Sequence, residues 1–188
     1  MKTLAKIVLL TMLVVLITVS AHSQENLWYE LNHKVRELHK QGQYSEATDV
    51  AKEALKVAEN TFGPDHPRVA TSLNNLGEVY RAQGKYAEAE PLYKRALEIN
   101  EKGPEPYGGY VVISLNNLAI LYHSQGRYAE AEPLYKRALE MLEEAFGPEH
   151  PDVARMLENM VQLYKDIGNI DEAKSLEERA KRIRSKNQ

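Results

Sequence analysis

The 188-residue chain contains no cysteine. That excludes disulfides, thiolate-held metals and a cysteine nucleophile. It also suits an oxidising compartment, where a stray thiol is a liability. Phe and Trp are scarce, with two and one copies, and acids outnumber bases 27 to 24 for a net charge of −3. No excess of basic charge is present to hold a nucleic acid. HExxH, a Gly-x-Ser-x-Gly nucleophile elbow and a Gly-rich phosphate loop are all missing. Long apolar runs are missing too, except at the start. There Ile7–Val19 follows Lys2 and Lys6 and precedes two small-residue cleavage sites, Val19-Ser20-Ala21 and Ala21-His22-Ser23. This is the pattern of a secretory signal peptide over residues 1–23. The run is shorter than the roughly 20 residues that cross a bilayer, so a membrane contact is expected only if the segment stays uncleaved. Without cysteine, lipid attachment at that residue is excluded.

What is present is a repeat. Tyr86–Glu98 reads YAEAEPLYKRALE, and Tyr128–Glu140 repeats it letter for letter at an offset of 42. Leu73-Asn74-Asn75-Leu76 returns as Leu115-Asn116-Asn117-Leu118, Tyr80 as Tyr122, and Gln83-Gly84 as Gln125-Gly126. One period earlier, Leu31, Asn32, Gly42, Tyr44, Ala47, Ala54 and Leu55 are in register; one period later, Leu157, Asn159, Tyr164, Gly168 and Ala173 are. Four units follow, cut at about 28–69, 70–111, 112–153 and 154–188. A period of this length marks an array whose units cannot bury their own apolar faces and stack on one another.

Each unit reads as two helices. In the second, Val69, Leu73, Leu76, Val79 and Tyr80 are spaced as one helical face over about 67–82, and Gly84 ends that helix. Ala89, Leu92, Tyr93, Ala96 and Leu97 form the stripe of a second helix over about 87–101. Pro91 and Pro133 lie early in these second helices, where unpaired N–H groups make proline tolerable. The units are joined by Phe62-Gly63-Pro64-Asp65-His66-Pro67 and by Phe146-Gly147-Pro148-Glu149-His150-Pro151. Gly-Pro makes the turn, and the last Pro suits the first helical position. The join at Glu105–Tyr110 carries Gly108-Gly109 instead and is expected to be the loosest. Lys34 replaces Leu76 and Leu118, and Glu177 and Lys181 replace Tyr135 and Leu139. Both outer faces are thus polar, as a complete array would need.

Leu73, Leu76, Gly77, Tyr80, Gly84, Tyr86, Ala89, Tyr93 and Ala96, in that order, resemble the tetratricopeptide repeat. The 42-residue period and the two FGPxHPxVA-type joins resemble its kinesin-light-chain subclass. The resemblance spans residues 28–184. It implies an all-α, right-handed solenoid of four helix pairs whose first (A) helices line a concave groove for an extended peptide or a partner helix. It also implies that an Asn recurring along the A helices grips the partner's backbone, which maps onto Asn75, Asn117 and Asn159; His33 departs from the pattern. A carboxamide offers a donor and an acceptor to any peptide unit. The alternative is that these Asn hold neighbouring A helices. One residue earlier stand Asn32, Asn74 and Asn116, with Glu158 in the last unit. A turn further come Arg36, Glu78, Ile120 and Gln162, and then His39, Arg81, His123 and Lys165. These rows vary between units, as partner-selecting or merely solvated residues do.

Other clusters have structural readings. His66 and His150 recur in one join, so turn geometry explains them better than catalysis. His39 and His123 are two units apart, too far for one metal. Glu88, Glu90 and Glu98, with Glu130, Glu132 and Glu140, read as a solvated helix face; Tyr80, Tyr93, Tyr122 and Tyr135 read as core. The basic C-terminal stretch Arg179, Lys181, Arg182, Arg184, Lys186 reads as cations complementing a helix dipole; the alternative is contact with an anionic membrane surface or an acidic partner. The expectation is a non-catalytic adaptor, secreted or periplasmic in a bacterial envelope. It binds a protein or peptide and needs no metal, cofactor, small-molecule substrate or nucleic acid. The alternative is a structural envelope protein that self-associates as a homo-oligomer.

Overall fold

The structure, a computed structural model, describes residues 22–103 and 109–187. The expected signal segment, apart from His22 and Ser23, lies outside the described residues, as does the join at 104–108 with Gly108. The described chain is helical with no strand. It runs α1 (22–40), α2 (Tyr44–Phe62), α3 (Pro67–Ala82), α4 (Tyr86–Lys102), α5 (Gly109–Ser124), α6 (Tyr128–Phe146), α7 (Pro151–Asp166) and α8 (Ile170–Lys186). These are four antiparallel pairs. The odd-numbered A helices stack on one another, α3 on α5 and α5 on α7, and each pair touches the next.

The apolar stripes become the core. Val69, Leu73, Leu76 and Val79 of α3 are buried, as are Ala89, Tyr93 and Ala96 of α4. The same positions, Val111, Leu115, Leu118 and Leu121 with Ala131, Tyr135 and Ala138, are buried one period on. Each large apolar side chain contributes about 1.5–3 kcal/mol by leaving water. The alanines let the helices approach. At Gly77 the approach leaves no room for a side chain, since a Cβ would stand 2.8 Å from Cε1 of Tyr93. Gly84 and Gly126, at φ of +72° and +70°, make the turn within their pairs.

The recurring histidines are N-caps. His66 Nδ1 accepts from the Arg68 N–H at 3.1 Å, and His150 Nδ1 from the Asp152 N–H at 3.2 Å. Pro67 and Pro151 follow at the first helical position. Each imidazole also lies against the preceding aromatic, Phe62 or Phe146.

The prolines are tolerated for a reason other than the expected one. Pro91 and Pro133 are the sixth residues of α4 and α6, past the first turn of unpaired N–H groups. The helices run through them because the carbonyls they leave unbonded belong to Ala87 and Ala129, which are exposed and reach water.

Candidate partner-binding face

The expected site lies along the A helices, so its geometry is set where one A helix meets the next. At the first junction, Asn75 Nδ2 donates to Asn32 Oδ1 at 2.7 Å, and Asn32 Nδ2 donates to the Trp28 carbonyl at 2.8 Å. At the third, Asn159 Nδ2 donates to Asn116 Oδ1 at 2.8 Å. Asparagines at two adjacent positions of the repeat thus form a rung: the one at the second position of one unit bonds the one at the first position of the unit before it. Asn32 and Asn74 are buried between helices rather than lying on an open face.

The second junction is different. Asn74, 8% exposed, turns its Nδ2 to Ser114 Oγ at 3.1 Å. Asn100 of α4, buried as well, donates to the same Ser114 Oγ at 3.0 Å and to the Tyr110 carbonyl at 3.1 Å. The Oδ1 atoms of Asn74 and Asn100 are left buried without partners. Each such acceptor costs about 1–3 kcal/mol. Asn117, the counterpart of Asn75 and Asn159, does not make the rung to Asn74. A depression of about 260 Å³ opens here, lined by Thr71, Asn74, Asn75, Glu78, Tyr110, Ile113 and Asn117. Tyr110 and Ile113 are 57% and 49% exposed.

The variable rows are largely engaged within the molecule. Glu78 accepts from Arg81 Nε at 2.8 Å and Nη2 at 2.6 Å, and from the Tyr93 hydroxyl at 3.2 Å. Burial would raise the Glu78 carboxyl; the Arg81 hydrogen bonds overcome this and hold it below the usual range. Burial, with the Glu78 charge, pushes the Tyr93 phenol up. His123 Nε2 lies 2.7 Å from Asp166 of the next A helix, and Lys165 Nζ lies 3.7 Å from Glu177 of α8. Arg36 is exposed.

Sequence reasoning missed the clamps on the other side. Glu90 is no solvated carboxylate. It accepts from Arg127 Nη1 at 2.7 Å and from the Tyr122 hydroxyl at 3.1 Å, both in the next unit, and from Lys94 at 2.6 Å. The Arg127 hydrogen bond, helped by Lys94 and Tyr122, lowers its carboxyl to about 2. Glu132 accepts from Tyr164 at 2.8 Å in the same way. A second series joins the B helices: Glu59 to Arg95 at 2.7 Å, Glu101 to Arg137 at 2.6 Å, and Glu143 to Arg179. The basic C-terminal stretch is correspondingly paired, with Arg184 on Glu158 at 2.6 Å and Lys186 on Glu149 at 2.7 Å, besides Arg179. The available signal was recurrence of both partners at 42 residues, since a pair that repeats together is free to bond together.

Among the described residues, no three His, Asp or Glu side chains converge as metal ligands do. No described helix is long and apolar enough to cross a membrane.

A family profile described as tetratricopeptide repeat matches residues 37–102 and 110–186, and a second of the same description matches 80–134. No curated protein sequence matches the chain. Among solved structures, the fold is similar to that of BtubC (BKLC) from P. vanneervenii, with TM-score 0.76 and 27% identity over 86% of this chain and 65% of that one. It is also similar to a kinesin-light-chain-type protein with nearly identical TPR-like repeats from Podosopora anserina, with TM-score 0.74 and 23% identity over 85% of this chain and 76% of that one. A third likeness, in fold alone, is to aspartyl phosphate phosphatase F from Bacillus subtilis, with TM-score 0.74 and 18% identity over 85% of this chain and 40% of that one. The chain thus spans about two thirds of the length of BtubC and less than half that of the phosphatase.

Proposed function

Since the chain belongs to the tetratricopeptide repeat family, whose arrays generally mediate protein–protein interaction, we propose that it is a non-catalytic adaptor binding an extended protein segment along its A-helix face. The observation that carries the reading is the depression at the second junction, where exposed Tyr110 and Ile113 lie beside the carboxamides of Asn75 and Asn117. Apolar surface next to the Asn117 amide, which makes no rung, suits a peptide, which brings both kinds of group. The leader pattern at residues 1–23 supports a place outside the cytoplasm, in a secreted or envelope-associated setting. A second reading, self-association, is favoured by Ile167 and Ile170, both exposed near the last turn.

Photo-cross-linking separates the two. A benzoylphenylalanine placed at Ile113, on the A-helix face, should give adducts with another protein in the native compartment; the same group at exposed Glu98, on α4, should not. Adducts of twice the chain mass would favour self-association. Equal labelling from both positions would remove the groove reading. Cell fractionation tests the location, and recovery in the cytoplasm with residues 1–23 intact would overturn it.

A further inference from the structure

We propose that recognition is concentrated at the second junction, between α3 and α5, which takes a short extended peptide carrying one bulky, uncharged apolar side chain. The inference rests on the peptide-binding reading above and specifies where the peptide sits and what it offers.

Three comparisons within the chain carry it. The first is hydrogen bonding. Asn75 and Asn159 spend a donor on Asn32 and Asn116, at 2.7 and 2.8 Å. At the middle junction that bond is not made, and Asn74 Oδ1 is buried without a partner. The cause is Asn100, which stands where the first and third units have Ala58 and Leu142. Asn100 and Ser114 form a polar centre, and Asn74 turns toward it. Asn117, half-buried, therefore keeps its carboxamide free on the wall of the depression, while Asn74 Oδ1 stays buried behind it. That one carboxamide offers a donor to the C=O and an acceptor to the N–H of an extended peptide.

The second comparison is apolar surface. Tyr110 and Ile113 are exposed where α3 has Arg68 and Thr71 and where α7 has Asp152 and Arg155. Only the third unit offers two apolar groups in those rows. The third is charge. Among the described residues, Glu78 is the one carboxylate lining the depression, and it is already satisfied by Arg81 and Tyr93. An anchor entering here meets no unpaired charge among the described residues. At about 260 Å³ the space is below the roughly 300–1,000 Å³ of small-molecule sites, and it suits one side chain with the peptide unit that bears it. Leu, Ile, Met and Phe qualify; Lys and Glu do not.

The test uses the full chain and labelled nonapeptides of Gly, Ser and Thr with one central residue, Phe, Leu, Ala, Lys or Glu. Binding is followed by anisotropy and by NMR shifts of the Asn side-chain amides. Phe and Leu peptides should bind about tenfold more tightly than Ala, Lys or Glu peptides, and should shift the Asn74 and Asn117 amides. Ile113→Ser and Tyr110→Ala remove exposed groups and leave the core intact; each should weaken binding about tenfold. Asn117→Ala should weaken it similarly, whereas Asn159→Ala at the closed third junction should not. Shifts centred on Arg36 or Gln162 would overturn the inference and leave the groove reading standing. Binding of no peptide at about 1 mM would overturn both. A dimer that dissociates on Ile113→Ser would show that a second copy of the chain occupies the site, and would overturn the peptide as occupant.

Discussion

His66 does two jobs in one imidazole: it accepts the Arg68 N–H as a cap and lies against Phe62, over which Arg68 also sits at 4.5 Å. Burial first, and then the Arg68 charge, lower its affinity for a proton. The cap also needs Nδ1 unprotonated. A depressed folded value means that the contribution is complete above the ordinary value of 6.5 and is lost as pH falls below it. His66→Asn should keep the cap and flatten that slope in denaturation series at several pH values; His66→Ala should cost about 1 kcal/mol at neutral pH. Gly77 is a second single-residue case. Gly77→Ala drives a Cβ into the Tyr93 ring, which cannot yield while its hydroxyl is tied to Glu78. A loss of about 1–3 kcal/mol is expected. Tyr93→Phe in the same chain should recover part of it, as a double-mutant cycle would measure. Ala119 is accommodated one period on, where Ile120 replaces Glu78 and no such tie to the Tyr135 ring exists. These roles were half legible. The spacing of His66 and His150 pointed to the turn, but cap geometry depends on ring orientation, which spacing does not carry.

At the scale of helices, the pattern of buried positions followed directly from periodicity, because a stripe at three- and four-residue spacing has one face to bury. Contacts between units did not follow. Glu90 sits on an outer turn of α4 by any helical count, and its partner Arg127 arrives from a turn 37 residues away. Periodicity within one helix carries no information about a neighbour's loop. Glu90→Gln should cost about 1–2 kcal/mol, seen as a lower melting temperature. Because the folded carboxyl lies near about 2 against an ordinary 4.5, its contribution is present above pH 4.5 and fades as pH falls toward 2. The wild type should therefore lose stability across that window, and the Gln variant should lose less. The Asn rows behave in the same way. Their recurrence was plain, but the choice between bonding a neighbour and facing a partner turned on Asn100, a single buried polar residue in a different helix.

Across the whole molecule, each pair among the described residues rests only on the pairs beside it, so local stability follows local junction quality. The first and third junctions carry closed Asn rungs; the second carries two unpartnered carbonyls. Hydrogen exchange should therefore be faster for the facing turns of α3 and α5 than for the equivalent turns of α5 and α7. Uniform protection along the A helices would contradict this. The four-pair fold was legible because repetition states the same instruction several times. The open junction was not, because it is an exception to the repetition.

The identical stretches Tyr86–Glu98 and Tyr128–Glu140 also make the gene product editable. Excising residues 91–132 splices one copy onto the other without altering a residue at the seam. Glu59 would then find Arg137 where Arg95 had been, and Asn159 would face Asn74 where it had faced Asn116. The shortened protein should remain helical and melt cooperatively by circular dichroism, with an unbroken asparagine ladder and no trace of the recess. A lineage that gained or lost one such cassette by unequal crossover would switch the binding site on or off in a single event, while every remaining interface kept its old partner type.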